Sequence, residues 1–142
     1  MGCDIHGRVQ YRYSPESSWF DGGPIENGRN YTLFSVLAGV RAYDDISISD
    51  PRGYPDDFVV DDNDDIELGY DDEKHKYWMG DHSHSWLMVD EIVNWPRWDE
   101  SIHHGSTLKD NCRNFWLWLD WIRARNRPWG DSNIRIVFGF DS

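Results

Sequence analysis

Two short motifs carry most of the chemistry open to this chain: Asp4-Ile5-His6 near its start and His82-Ser83-His84 in its second half. In an extended strand, residues i and i+2 point to the same side, roughly 7 Å apart. Two such strands side by side would gather one carboxylate and up to three imidazoles. That set suits a divalent metal, with Asp4, His6, His82 and His84 as ligands. It equally suits metal-free acid–base chemistry, with one histidine as base, another as acid and Asp4 orienting a ring. The plainer alternative is that these are polar strand residues and that Asp4 pairs with a local cation. Two independent pairs on expected strands favour a site, so His6, His82, His84 and Asp4 are the catalytic candidates. No cofactor is specified beyond that one candidate, a divalent metal ion.

A second constellation is cationic. Arg29, Arg41 and Arg52 stand beside glycine- or proline-rich turns in an otherwise acidic chain, and Arg8 lies on the same strand as His6. Guanidinium forks match phosphates bidentately. Trp86, next to the second histidine pair, could stack a base, and Ser83 and Ser85 could bond to a ligand. Arg8, Arg29, Arg41, Arg52, Ser83, Ser85 and Trp86 are therefore the ligand-binding candidates. Arg52, in PRGYP, is the strongest of them for a phosphate, and its alternative is a surface ion pair with the neighbouring aspartates.

Several named chemistries fail on the residues. Two-histidine phosphoesterases need a pair of H-x-Ser/Thr motifs, and only His104-Gly105-Ser106 fits. Zinc fingers and deaminases need cysteine pairs, whereas this chain has Cys3 and Cys112 alone. There is no Walker loop or dinucleotide fingerprint, and neither serine beside the histidines has a nucleophile-elbow context. DDNDDIELGYDDE invites calcium, but the glycine an EF-hand needs would fall at Ile66. His103-His104 reads as loop.

The elements that must position these groups can be read from the pattern. In DIHGRVQYRY, Ile5, Val9, Tyr11 and Tyr13 fall on one face of a strand. Asp4, His6, Arg8, Gln10 and Arg12 fall on the other. Cys3 sides with Ile5, away from the Asp–His pair, as a buried thiol. Asn30 as cap and Gly39 as stop predict a buried helix over Tyr31–Ala38. Residues 82–89 alternate, with His82, His84, Trp86 and Met88 on one side and Ser83, Ser85, Leu87 and Val89 on the other. Asp90 caps a short helix ending before Pro96. Asp110 caps a longer one with the stripe Phe115, Trp118, Leu119 and Ile122. It ends in a basic turn, Arg123, Arg125 and Arg127, closed by Pro128 and Gly130. Ile134, Ile136, Phe138 and Phe140 alternate as a final strand.

These elements predict an α+β fold of a single domain over residues 1–142. Its antiparallel sheet includes the N- and C-terminal strands, two or three helices pack on one face, and an acidic irregular insertion spans about 43–81. A length of 142 residues suits one core. The net charge of −12 argues against general DNA or RNA binding. Two cysteines fit a reducing compartment, no apolar run is long enough for a membrane, no signal peptide is visible, and His6 breaks the myristoylation pattern. A soluble, unanchored, cytoplasmic protein is expected. Trp116, Trp118 and Trp121 cannot all be buried on one helix, so a homo-oligomer through exposed tryptophan is a further expectation.

MGCDIH, RNYTLFSVLAGVR, PRGYPDD and DHSHSWLMVDEI, in that order, resemble an uncharacterised family of small bacteriophage proteins. Its members carry a CDIH strand and RNY-x-LF, PRG-x-P-x-D and HS-x-SWL-type segments. The likeness covers most of residues 1–92, and this chain has Met88 where the family pattern has Thr. The family transfers no activity. It implies a context, the cytoplasm of an infected host, where small phage proteins act on host metabolism or defence. Three functions then stand open. The first is hydrolysis of a nucleotide-like phosphate compound, such as a cyclic nucleotide signal, to counter defence. The second is a non-catalytic sponge for such a nucleotide. The third is an acidic interaction protein that inhibits a host enzyme.

Overall fold

The structure is a computed structural model, and it describes residues 2–41, 46–58, 79–103, 105–126 and 129–142. The acidic run 61–73, His104, Arg127 and Pro128 lie outside the described residues. Strand β1 spans Asp4–Tyr11, β2 Phe20–Pro24, β3 His82–Met88 and β6 Ile134–Asp141. They form one antiparallel sheet in the order β2-β1-β6-β3, so the last strand lies between the first and the third. A small hairpin, β4 (Ser101–His103) and β5 (Ser106–Thr107), stands apart. Helices α1 (Tyr31–Ala38), α2 (Val89–Val93), α3 (Leu108–Asn111) and α4 (Arg113–Arg125) complete the α+β domain.

The expected helix over Tyr31–Ala38 forms with the expected ends. The Asn30 side chain accepts the Leu33 N–H at 3.2 Å, and Gly39 closes the helix in the left-handed conformation at φ 71°. The other two caps differ from expectation. Asp90 lies inside the first turn of α2, where the Glu91 carboxylate accepts the Met88 N–H instead. Asp110 lies inside the short α3, which Thr107 caps in a reciprocal box, and α4 starts only after Cys112.

One sheet face carries the apolar core. Ile5, Val9, Leu87, Ile134, Ile136, Phe138 and Phe140 meet Phe34 and Leu37 of α1, Ile92 of α2, Leu108 of α3, and Phe115 and Leu119 of α4. Cys3 and Cys112 are both buried thiols here, and desolvation pushes Cys112 up to about 12. Trp116 is buried on α4, whereas Trp118 is only partly covered.

The opposite face was expected to present its polar residues to a ligand. It is buried instead. Arg8 and Gln10 of β1 and Arg135 of β6 are each at most 5 % exposed. Met79, Val137, Tyr54, Phe58 and Trp86 form a small second cluster on this side. The guanidiniums of Arg12 and Arg135 lie 4.5 and 4.2 Å over the Trp19 ring. Arg135 donates to Gln10 Oε1 from two nitrogens and to Asp57 at 2.8 Å, which offsets the desolvation that lowers its pKa. Of the acidic insertion, the described stretch 46–58 has no helix or strand, yet it packs on the sheet through Tyr54, Asp57 and Phe58. Among the described residues, no helix is long and apolar enough to cross a membrane.

Candidate functional site

The two histidine motifs do not converge. β6 separates β1 from β3, so their strands are not neighbours. His6 stands opposite Gly139, and its Nε2 lies 2.8 Å from Asp141 Oδ2, with both side chains 30 % exposed. His84 leans over the same Gly139 from the other strand, since a Cβ there would come within 2.6 Å of its ring. The Met79 carbonyl fills the space above that glycine, so the gap between the two rings is not a hollow. The His84 Nε2 bonds to the Gly80 carbonyl at 2.8 Å, which only accepts, so this nitrogen carries the proton. Its ring stacks on Tyr54 at 4.7 Å.

His82 leaves the row altogether. A β-bulge falls between His82 and Ser85, with Ser83 in the left-handed region at φ 55°. The extra residue turns His82 to the core side, where it pairs with Phe140 and bonds to Ser83 Oγ at 2.9 Å and Ser142 Oγ at 3.0 Å. Among the described residues, no three His, Cys, Asp or Glu side chains are grouped to hold a metal ion. Asp4 takes the plainer role of a local ion pair, accepting two bonds from Arg29. What remains of the expected centre is the His6–Asp141 dyad, an oriented imidazole of the kind that serves as a general base.

Four of the ligand-binding candidates, Arg8, Arg52, Ser85 and Trp86, are structural. Arg8 grips Asp21 with Nε at 2.9 Å and Nη2 closer still, and both side chains are at most 5 % exposed. Arg52 forks onto Glu91, not onto the aspartates beside it. It also donates to the Trp86 carbonyl, lies 4.7 Å over the Trp86 ring, and its N–H bonds to the buried Ser85 hydroxyl. Arg52, Ser85 and Trp86 thus fasten the proline-flanked turn to β3.

This clamp makes a pH-dependent contribution. The Arg52 bond holds the Glu91 carboxyl below its usual range. A carboxyl depressed on folding adds stability above its unfolded value and loses it as pH falls through the folded one. The stability difference between the chain and its Glu91→Gln variant, measured by urea unfolding, will be on the order of 1 kcal/mol at about pH 6 and close towards zero at about pH 3. A gap constant across that range would refute the assignment.

Arg29 and Arg41 do come together, around Tyr31. A cleft of about 460 Å³ is lined by Arg29, Asn30, Tyr31, Thr32, Asn111, Arg113 and Asn114, with Glu26 and Asp110. A second, of about 610 Å³, shares Tyr31 and Thr32 and is lined further by Ser35, Arg41, Ile46, Arg97, Glu100, Ile102 and Leu108. The Arg41 guanidinium lies 5.1 Å over the Tyr31 ring. The Tyr31 hydroxyl accepts the Cys3 N–H at 3.2 Å, which fixes the ring as a ridge between the clefts. No family model, curated protein or solved structure matches this chain.

The paired clefts have the makings of an anion site with an apolar wall. Four arginines face three carboxylates there, in a chain of net charge −12. Those carboxylates are engaged, Glu26 by the Gly28 N–H, Asp110 by the Thr107 N–H and Glu100 by Arg97, while Arg29 is itself held by Asp4 outside the clefts. Arg113 has no ion pair among the described residues. The first turns of α1 and α4 both line the smaller cleft, which adds two positive dipole ends. Ile46, Ile102 and Leu108 supply the apolar side of the larger one. Arg97, Arg113 and Asp141 were not singled out from sequence. The i, i+3 pair Arg97–Glu100 was a local signal, whereas Arg113 and Asp141 depend on tertiary placement.

Proposed function

We propose that this chain binds a small nucleotide-like phosphate compound in the clefts around Tyr31 and releases it uncleaved. The carrying observation is that contiguity: two clefts share Tyr31 and Thr32 and are lined by Arg29 and Arg113 on one side, Arg41 and Arg97 on the other. Phosphate oxygens suit the guanidiniums and the helix N-termini, and a planar base suits Ile46, Ile102 and Tyr31. Sequestration is favoured over hydrolysis because Asp4, His82 and His84 are each committed elsewhere. In the phage context that the sequence resembles, such a protein would withdraw a nucleotide signal from the host.

Calorimetry with a panel of mononucleotides, cyclic mononucleotides and cyclic dinucleotides, followed by chromatography of the recovered ligand, tests this. At least one compound will bind and return intact. Arg113→Ala and Arg41→Ala will each weaken it about 10- to 100-fold, as expected for a charge-assisted bond. No binding by any compound overturns the proposal. Conversion of the ligand, lost in His6→Ala, would replace sequestration by hydrolysis at the His6–Asp141 dyad.

A further inference from the structure

Helix α4 buries Phe115, Trp116, Leu119 and Ile122 and turns Leu117 and Trp121 outward, 56 % and 54 % exposed. The interval of four residues sets these two on one stripe, and the same interval places Arg113 and Arg125 at its ends. The Arg125 guanidinium lies 4.5 Å over the Trp121 ring. A cleft of about 530 Å³ runs beside the stripe, lined by Lys109, Arg113, Trp116 and Leu117, with Asp110 and Asp120 as its carboxylates. The Lys109 ammonium lies 4.3 Å over the Trp116 ring. Exposed tryptophan and arginine are the residue types enriched at contact surfaces, and here they lie on one stripe of one helix.

A second copy of this chain is a poor occupant. In a parallel twofold pairing of α4 each arginine meets itself. In an antiparallel one centred between Leu117 and Trp121, Arg113 meets Arg125. Two outward side chains also fall far short of the roughly 800 Å² per partner of a stable interface. A short helical segment needs less area, and its charge can be chosen. We infer that the α4 stripe docks an acidic amphipathic helix of another protein. Its leucine-type anchors pack on Leu117 and Trp121, and its carboxylates reach Lys109, Arg113 and Arg125.

The test uses the full chain and two labelled synthetic helices of about 18 residues, roughly five turns. Both carry the same leucine seam, flanked in one by glutamate and in the other by lysine. A protein of net charge −12 attracts the lysine peptide at long range, so a preference for the glutamate peptide isolates the local surface. Fluorescence anisotropy will show the glutamate peptide binding at least about tenfold tighter. Trp121→Ser and Arg125→Glu will each remove that preference and leave the circular dichroism unchanged. Arg113 also lines the Tyr31 cleft, so it is kept out of this test, and nucleotide binding will survive both variants. Failure of the glutamate peptide to bind, equal binding of the two peptides, or a dimer in sedimentation that Leu117→Ser dissociates would each overturn the inference.

Discussion

The Asp21→Ala variant will lose about 3–5 kcal/mol of unfolding free energy, the range for breaking one side of a buried ion pair. Asp21 is 1 % exposed and Arg8 5 %, and the two are joined by two bonds, from Nε and Nη2 to the two carboxylate oxygens. A guanidinium does not shed its proton in a protein, so Arg8 would stay charged in a place water does not reach. Its backbone cannot carry it outward. β1 is held by β6 on one side and by β2 on the other, with Arg8 opposite Val137 and Pro24. Urea unfolding will show the loss as a lower midpoint at unchanged slope. The double variant Arg8→Met, Asp21→Leu removes both charges together and will recover most of it, because the pair itself adds little beyond an apolar one. A single-variant loss below about 1 kcal/mol would mean that water or a further partner meets the Arg8 charge once Asp21 is gone, and the pair would not be the support assigned to it.

The behaviour of that face explains what the sequence could and could not reveal. Period-2 alternation assigned each β1 side chain to the correct face, and Cys3 and Ile5 are buried as expected. The α1 helix was legible because both its ends are local chemistry, Asn30 and Gly39. Alternation says nothing about what covers a polar face. Arg8 was open to a ligand reading, yet the face it shares with Gln10 and Arg135 is buried, with Tyr54, Asp57 and Phe58 of the irregular insertion packed on that side. Strand order is equally invisible locally. The antiparallel pairing of Asp4 with Asp141 couples the two ends of the chain and places β6 where β3 was expected. The bulge at Ser83 had no signal either, since its left-handed residue is not glycine. One extra residue moved His82 to the opposite face, which alone dissolves the four-residue centre. The arginines around Tyr31 were partly legible, Arg29 and Arg41 from their turns and Arg97 from its i, i+3 pair with Glu100, whereas Arg113 depends on where α4 packs.

Gly80→Ala is the other substitution with a large expected effect, about 2–5 kcal/mol from a left-handed non-glycine residue plus an overpacked contact. Gly80 sits at φ 85°, and a Cβ there would run into the backbone N, C and O of Phe140. That backbone cannot yield, because Phe140 is paired with Ile5 on one side and His82 on the other. The contact is close because Asp81 donates its N–H to the Phe140 carbonyl at 2.6 Å, while the Gly80 carbonyl is held by His84. Gly53→Ala separates the two causes. Gly53 has nearly the same φ, 81°, with nothing within 4 Å of its missing Cβ, so it bears the conformational cost alone, about 1–2 kcal/mol. His84→Ala gives the remaining reference, since it removes the bond that ties Gly80 to β3, about 1 kcal/mol, and the stack on Tyr54 without adding a Cβ against β6. Chemical denaturation of the three variants side by side will rank Gly80→Ala below both of the others. If Gly80→Ala and Gly53→Ala lose the same stability, the strip from Met79 to Asp81 does not press on β6, and the filled space above Gly139 that keeps His6 and His84 apart would no longer follow.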